Sequence, residues 1–107
     1  MRIEFEDPEL ERLFTEGKSK AKYLRSLPKG VVKGFFKAVN HLRAARNTEA
    51  LYPLKSLDYK KLEGKDYERV KINDQYRLLF RSRVVEDDSE KVTVAQLHKI
   101  SNHYEDL

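Results

Sequence analysis

Between Tyr67 and Arg83 the chain reads Tyr-Glu-Arg-Val-Lys-Ile-Asn-Asp-Gln-Tyr-Arg-Leu-Leu-Phe-Arg-Ser-Arg. Arg69, Lys71, Arg77, Arg81 and Arg83 are interleaved there with Val70, Ile72, Tyr76, Leu78 and Phe80. A guanidinium presents a planar fork that can hold two phosphate oxygens at once. Further along stand His98 and then His103-Tyr104; an imidazole takes or gives a proton close to neutral pH. Cations held in a row beside a proton-transfer group suit a polyanionic partner. The same residues have a plainer use, because exposed strand cations also keep a sheet edge from pairing with other chains.

These side chains need a sheet to hold them. Period-two alternation on either side of Asn73-Asp74 predicts a hairpin with an apolar stripe on one face and cations on the other. An acidic turn at 86–90 precedes the last clear strand, Lys91 to His98. Ahead of the hairpin, Tyr59 to Lys65 reads as a short extended segment that turns at Gly64, and Arg2 to Glu6 alternates as a first strand. Asp7-Pro8 has the form of an N-cap followed by proline at the first helical position, with Leu10, Leu13 and Phe14 in one stripe before Gly17. Ser26-Leu27-Pro28 repeats that logic, and Val31, Val32, Phe35, Phe36, Val39 and Leu42 trace one helical face to about Arg46. Lys18 to Arg25 either extends the first helix or returns as a loop. Gly30 and Gly34 each weaken the second helix by about 1 kcal/mol if interior, so packing on a sheet must stabilise it. The expectation is one α+β domain over residues 1–107, with two N-terminal helices on a sheet of four or so strands in the order β-α-α-β-β-β.

Charge is unevenly distributed. The net charge of +4 hides a stretch from 17 to 46 with nine Lys or Arg and no acid, flanked by acidic ends. An acid-free run of that length together with a basic hairpin favours a nucleic acid or an acidic protein as partner. The chain has no cysteine, which excludes disulfides and Cys-based zinc sites. His98 and His103 are five apart, which suits no metal pairing on a helix or strand face. The acids at 86–90 lack the oxygen-ligand spacing of a calcium loop. A glycine-rich phosphate loop and a serine or cysteine nucleophile framework are likewise absent. No apolar run reaches membrane-spanning length and no basic-then-apolar leader is present, so the expected setting is soluble and cytoplasmic, without a cofactor and without a membrane partner.

Three segments taken together, Leu62-Glu63-Gly64, Tyr67-x-Arg-Val-x-Ile-Asn and Gln75-Tyr-Arg-Leu-Leu-Phe-Arg81, resemble the RelE/ParE superfamily of small bacterial toxins, and within it the HigB branch. The likeness is specific over roughly 59–83 and extends to element order over nearly the whole chain. It implies a curved, mainly antiparallel sheet backed by the two helices. It also implies a basic face that enters the ribosomal A site and cuts messenger RNA without a metal, the ribose 2′-hydroxyl attacking the adjacent phosphodiester. By the same likeness Arg77 stands at the family's strand arginine, His98 at its catalytic histidine, and Lys60 and Lys61 at the basic position before Leu-x-Gly, where Lys61 would neutralise developing charge. Lys60, Arg69, Lys71, Arg81, His103 and Tyr104 are the implied RNA contacts. The family's Asp-Tyr before that histidine is Gln96-Leu97 here, and His103 and Tyr104 lie where they could supply the missing groups. A cognate antitoxin of the helix-turn-helix, HigA-like kind is the implied partner, besides ribosome and message. Two other readings stay open, a ParE-like inhibitor of DNA gyrase and a relative that binds RNA or an acidic protein without cutting.

Overall fold

In the computed structural model, which describes residues 1–102, the first helix forms where its caps dictate. The Asp7 carboxylate accepts the Glu9 backbone N–H at 2.9 Å, Pro8 takes the first helical position, and Gly17 closes α1 (Pro8–Glu16) in the left-handed region at φ 78. The strand before it, β1 (Arg2–Phe5), alternates as expected. Residues 18–25 are neither a simple extension nor a plain loop, because Lys22–Arg25 forms a one-turn helix, α2. That turn changes the start of the next helix, α3 (Lys29–Ala44). Ser26 ends α2, its N–H directed to the Lys22 carbonyl and its hydroxyl donating to the Tyr23 carbonyl at 3.1 Å; the N-cap of α3 falls instead on Pro28, without any side-chain bond.

Two short 3-10 turns, Thr48–Leu51 and Lys55–Leu57, fill the irregular connection to β2 (Lys60–Lys61), β3 (Glu68–Lys71), β4 (Tyr76–Asp87) and β5 (Glu90–Asn102). The five strands make one mixed sheet in the order β1-β5-β4-β3-β2, in which β1 lies parallel to β5 and every other pair is antiparallel. The fold is thus α+β, with three helices where the sequence predicts two, and five strands against the expected four or so. At the β3–β4 turn the Asn73 side chain accepts from the backbone N–H groups of Gln75 (2.9 Å) and Tyr76 (2.8 Å), the local bonding that makes asparagine a turn former. The expected broad acidic turn shrinks to Asp88-Ser89, both at positive φ (51 and 67), and β4 and β5 continue to either side of it. Positive φ at both central residues matches the right-handed twist of a two-residue hairpin.

All three helices lie against one face of the sheet. Leu10 and Leu13 of α1, Leu24 of α2, and Val31, Phe35, Val39 and Leu42 of α3 are buried with Val70, Leu78, Phe80, Ala95, Leu97 and Ile100 of the strands. Gly34 sits where α3 packs closely on Ile72, just past the end of β3, since a Cβ there would meet Ile72 Cγ2 at 2.7 Å and the Ile72 carbonyl oxygen at 3.3 Å. The glycine that weakens the helix therefore lets it dock.

β5 carries one residue more than β4 across their ladder. Leu79 is opposite Lys99, but the next residue, Phe80, is opposite Leu97, so His98 is the extra residue of a β-bulge. Because of that slip, Leu97 and Ile100 both reach the core although they are three apart. His98 and Lys99 are spared a place in it. Bulges commonly re-aim a side chain next to a functional site.

Candidate functional site

The face of the sheet that no helix covers is built from the alternate residues of the same strands. Register places Lys60, Arg69, Lys71, Arg77, Leu79, Arg81, Arg83, Gln96, Lys99 and Ser101 on it, with Arg2 and Glu4 from β1 alongside. A cleft of about 510 Å³ opens there between the 62–67 segment and the centre of the sheet. Its walls include Arg69 of β3, Arg77 of β4 and His98 and Lys99 of β5, with Lys65 and Tyr67 from the segment leading into β3.

Three of the expected residues thus meet in one place: Arg77, His98 and Arg69. Arg77 is buried (8% exposed), its Nη1 donating to the carbonyls of Asn73 at 2.6 Å and Tyr76 at 3.1 Å. Its Nε is also buried and has no hydrogen-bond partner among the described residues. The β3–β4 turn therefore holds this guanidinium by backbone carbonyls, with the exposed Asp74 carboxylate of the same turn near enough to feel its charge. That differs from a cross-sheet pair with Glu68 or Glu90, the ordinary structural use of such an arginine.

Glu68 has another task on the opposite face, where it is buried. It accepts from the Tyr59 hydroxyl and, at 2.6 Å, from Ser82 Oγ. Burial and that carboxylate together hold the Tyr59 hydroxyl well above the ordinary phenol pKa, burial being the larger cause.

The other expected residues that the structure describes lie outside that meeting point. Lys61 is exposed and is not among the residues of the cleft; its register partner is Glu68, which puts it on the helix-covered side of the β2–β3 pair. A two-residue strand allows only one of two consecutive lysines to face the cleft side, and that one is Lys60, 3.8 Å from Asp58. Lys71 is bound to Asp74 at 2.8 Å, which holds the Asp74 carboxyl below its ordinary value. His103 and Tyr104 lie outside the described residues.

Arg81 belongs to a second cluster at the cleft's edge. Its Nη2 donates to the Tyr67 hydroxyl at 2.5 Å, and its Nε lies 3.6 Å from Glu6 and 3.9 Å from Asp66. The bond to Tyr67 and the two carboxylates raise its pKa further above the usual guanidinium value, the bond to Tyr67 contributing most. The Tyr67 ring is stacked on the His98 imidazole, centroids 4.4 Å apart and planes at 23°. The His98 Nδ1 is paired with the Glu6 carboxylate.

Sequence reasoning missed Glu6, Tyr67, Lys65 and Lys99 as site residues. Glu6 arrives because its backbone N–H extends the parallel ladder to the Leu97 carbonyl (2.8 Å), one step beyond β1. This topology also crosses charges between the N-terminal segment and β4: Glu4 pairs with Arg83 at 2.8 Å, and Arg2 reaches Asp87 at 2.7 Å. The open face is a lattice of alternating charge with a cationic cleft at one end. Among the described residues no helix is long and apolar enough to cross a membrane. The chain matches neither a family model nor a curated protein; what it does is read from the cleft itself.

Proposed function

We propose that this chain is the toxin of a toxin–antitoxin pair, a HigB-like member of the RelE/ParE superfamily that cuts messenger RNA in the ribosomal A site. The observation that carries the reading is the convergence of Arg77, Arg69 and His98 in one cleft on the helix-free face, with a carboxylate and a phenol ring against the imidazole. The family's pattern has an acid and a tyrosine beside its histidine in sequence; here Glu6 and Tyr67 bring the same two groups in space.

The chemistry follows from the groups present. Arg77 and Arg69 would hold the non-bridging oxygens of one phosphodiester and offset the charge that grows on the phosphorane. His98 would take the proton of the ribose 2′-hydroxyl as its oxygen bonds to phosphorus. The bond to the 5′ oxygen then breaks, that oxygen takes a proton from an ammonium of the cleft, for which Lys65 is the candidate, and a 2′,3′-cyclic phosphate remains. Lys61 has no part in this scheme. A HigA-like antitoxin carrying an acidic segment would block the cleft, with an affinity that falls as salt rises.

The test adds purified protein to ribosomes paused on a defined message and maps the ends. Cleavage within the A-site codon, leaving a cyclic phosphate and falling at least 100-fold in His98→Ala, is the expected result. An intact message together with blocked DNA supercoiling would overturn it in favour of a gyrase inhibitor. An intact message with harmless unpartnered expression would leave a binding module.

A further inference from the structure

We infer that Glu6 is a positioning residue that fixes His98 in a single tautomer, with the proton on Nδ1 and the lone pair on Nε2. It rests on the cleavage reading only for the use made of that lone pair; the tautomer itself follows from the contacts.

A carboxylate near neutral pH has acceptors and no donor. The Glu6 carboxylate is against Nδ1 of His98, so Nδ1 must carry the proton. A neutral imidazole has one N–H, and Nε2 is then the only ring atom able to accept another proton. The two oxygens of Glu6 are divided between partners: Oε2 takes His98 and Oε1 faces Arg81 Nε at 3.6 Å. Arg81 donates to the Tyr67 hydroxyl at 2.5 Å, and the Tyr67 ring stacks back on His98. Glu6, His98, Tyr67 and Arg81 therefore form a closed circuit drawn from the residue after β1, from β5, from the approach to β3, and from β4. A ring held at its edge by a carboxylate and on its face by a phenol cannot rotate to offer the other nitrogen without opening two contacts. Orientation of an imidazole by a carboxylate on the nitrogen away from the reacting proton is the general arrangement of carboxylate–histidine pairs in catalysis. In this chain both the β-bulge, which turns His98 out of the core alternation, and the extra ladder bond of Glu6 serve that juxtaposition.

The experiment is a long-range 1H–15N correlation of the imidazoles in the 15N-labelled full chain at pH 8, with the His98 signals assigned by their loss in His98→Gln. The wild type is expected to show His98 protonated on Nδ1. Glu6→Ala is expected to move the proton to Nε2, and Glu6→Gln to give a mixture, because a carboxamide can donate as well as accept. Thermal melts accompany each variant; should Glu6→Ala fail to fold, the near-isosteric Glu6→Gln carries the test. A wild-type ring protonated on Nε2, or folded variants in which the tautomer does not change, would overturn the inference. In the ribosome assay Glu6→Gln should lower kcat by about 100-fold or more with KM unchanged, the signature of a group acting on the chemical step. Wild-type protein that leaves message intact would remove the cleavage reading, while the tautomer result would still stand or fall by the spectrum.

Discussion

The two faces of this sheet are made by the same strands, residue by residue in alternation, yet they are organised in opposite ways. On the covered face Leu78, Phe80, Leu97 and Val70 are fully excluded from water and meet the helices. Glu68, the one buried carboxylate among the described residues, is satisfied there by two hydroxyls. On the open face many of the side chains are long and charged, and they meet in ion pairs between groups more than a third exposed, as in Arg83–Glu4 and Arg2–Asp87. Exposed pairs of that kind contribute about 0–1 kcal/mol each, whereas burying one large apolar side chain is worth about 1.5–3 kcal/mol. The covered face therefore determines whether the chain folds, and the open face is free to be arranged for chemistry.

Substitutions can break or sharpen that contrast. Phe80→Ala, on the covered face, should cost about 3–5 kcal/mol in urea unfolding. Removing the buried acid by Glu68→Ala strands two hydroxyls and should cost about 1–3 kcal/mol. A similar loss of about 1–3 kcal/mol is expected for Gly34→Ala, which overpacks the contact with Ile72; an unchanged melting temperature would mean that α3 can slide away from the sheet. On the open face Arg83→Ala should cost no more than about 1 kcal/mol and leave the thermal transition nearly in place. If it destabilises as much as Glu68→Ala, the two faces are not separable in the way described.

The smallest effect is a pH dependence at the β3–β4 turn. Lys71 holds the Asp74 carboxyl below its ordinary value of 3.8. A depressed carboxyl contributes stability that is fully present above the ordinary value and disappears as pH falls through the lowered folded value. The wild type should therefore lose its slight advantage over Asp74→Asn on acidification below about pH 3.8. Melting curves of the two proteins from pH 7 to pH 2 check this, and a gap that widens in acid would contradict it.

Local signals were the legible ones. Asp7-Pro8 with Gly17 bounds α1 because capping is chemistry within one turn of chain, and Val70 to Phe80 betrays its hairpin because period two and a turn-forming Asn73 are both local. Ser26-Leu27-Pro28 misleads for the same reason in reverse: a neighbouring turn of helix, itself weakly coded, takes the serine first. The β-bulge left a trace, since Leu97 and Ile100 are both apolar yet out of step for a regular strand. That trace could have been used to move Lys99 to the open face beside His98. The pairing of Glu6 with His98 left none. It depends on which strand β1 chooses as its neighbour, 92 residues away along the chain, and alternation within either strand is silent on that choice. Lys60 and Lys61 show a middle case, because only the register with Arg69 and Glu68 decides which of two adjacent lysines shares a face with the cleft.

The narrow β4–β5 arm has a practical side. Its tip at Asp88-Ser89 lies about 36 Å along β4 from Arg77, at 3.3 Å per residue, and the chain contains no native thiol. A single Glu90→Cys, just past the turn where the backbone is no longer left-handed, would thus give one attachment point for a dye. Fluorescence anisotropy from that handle could follow docking of a polyanion or an antitoxin while every group of the reaction centre stays as it is.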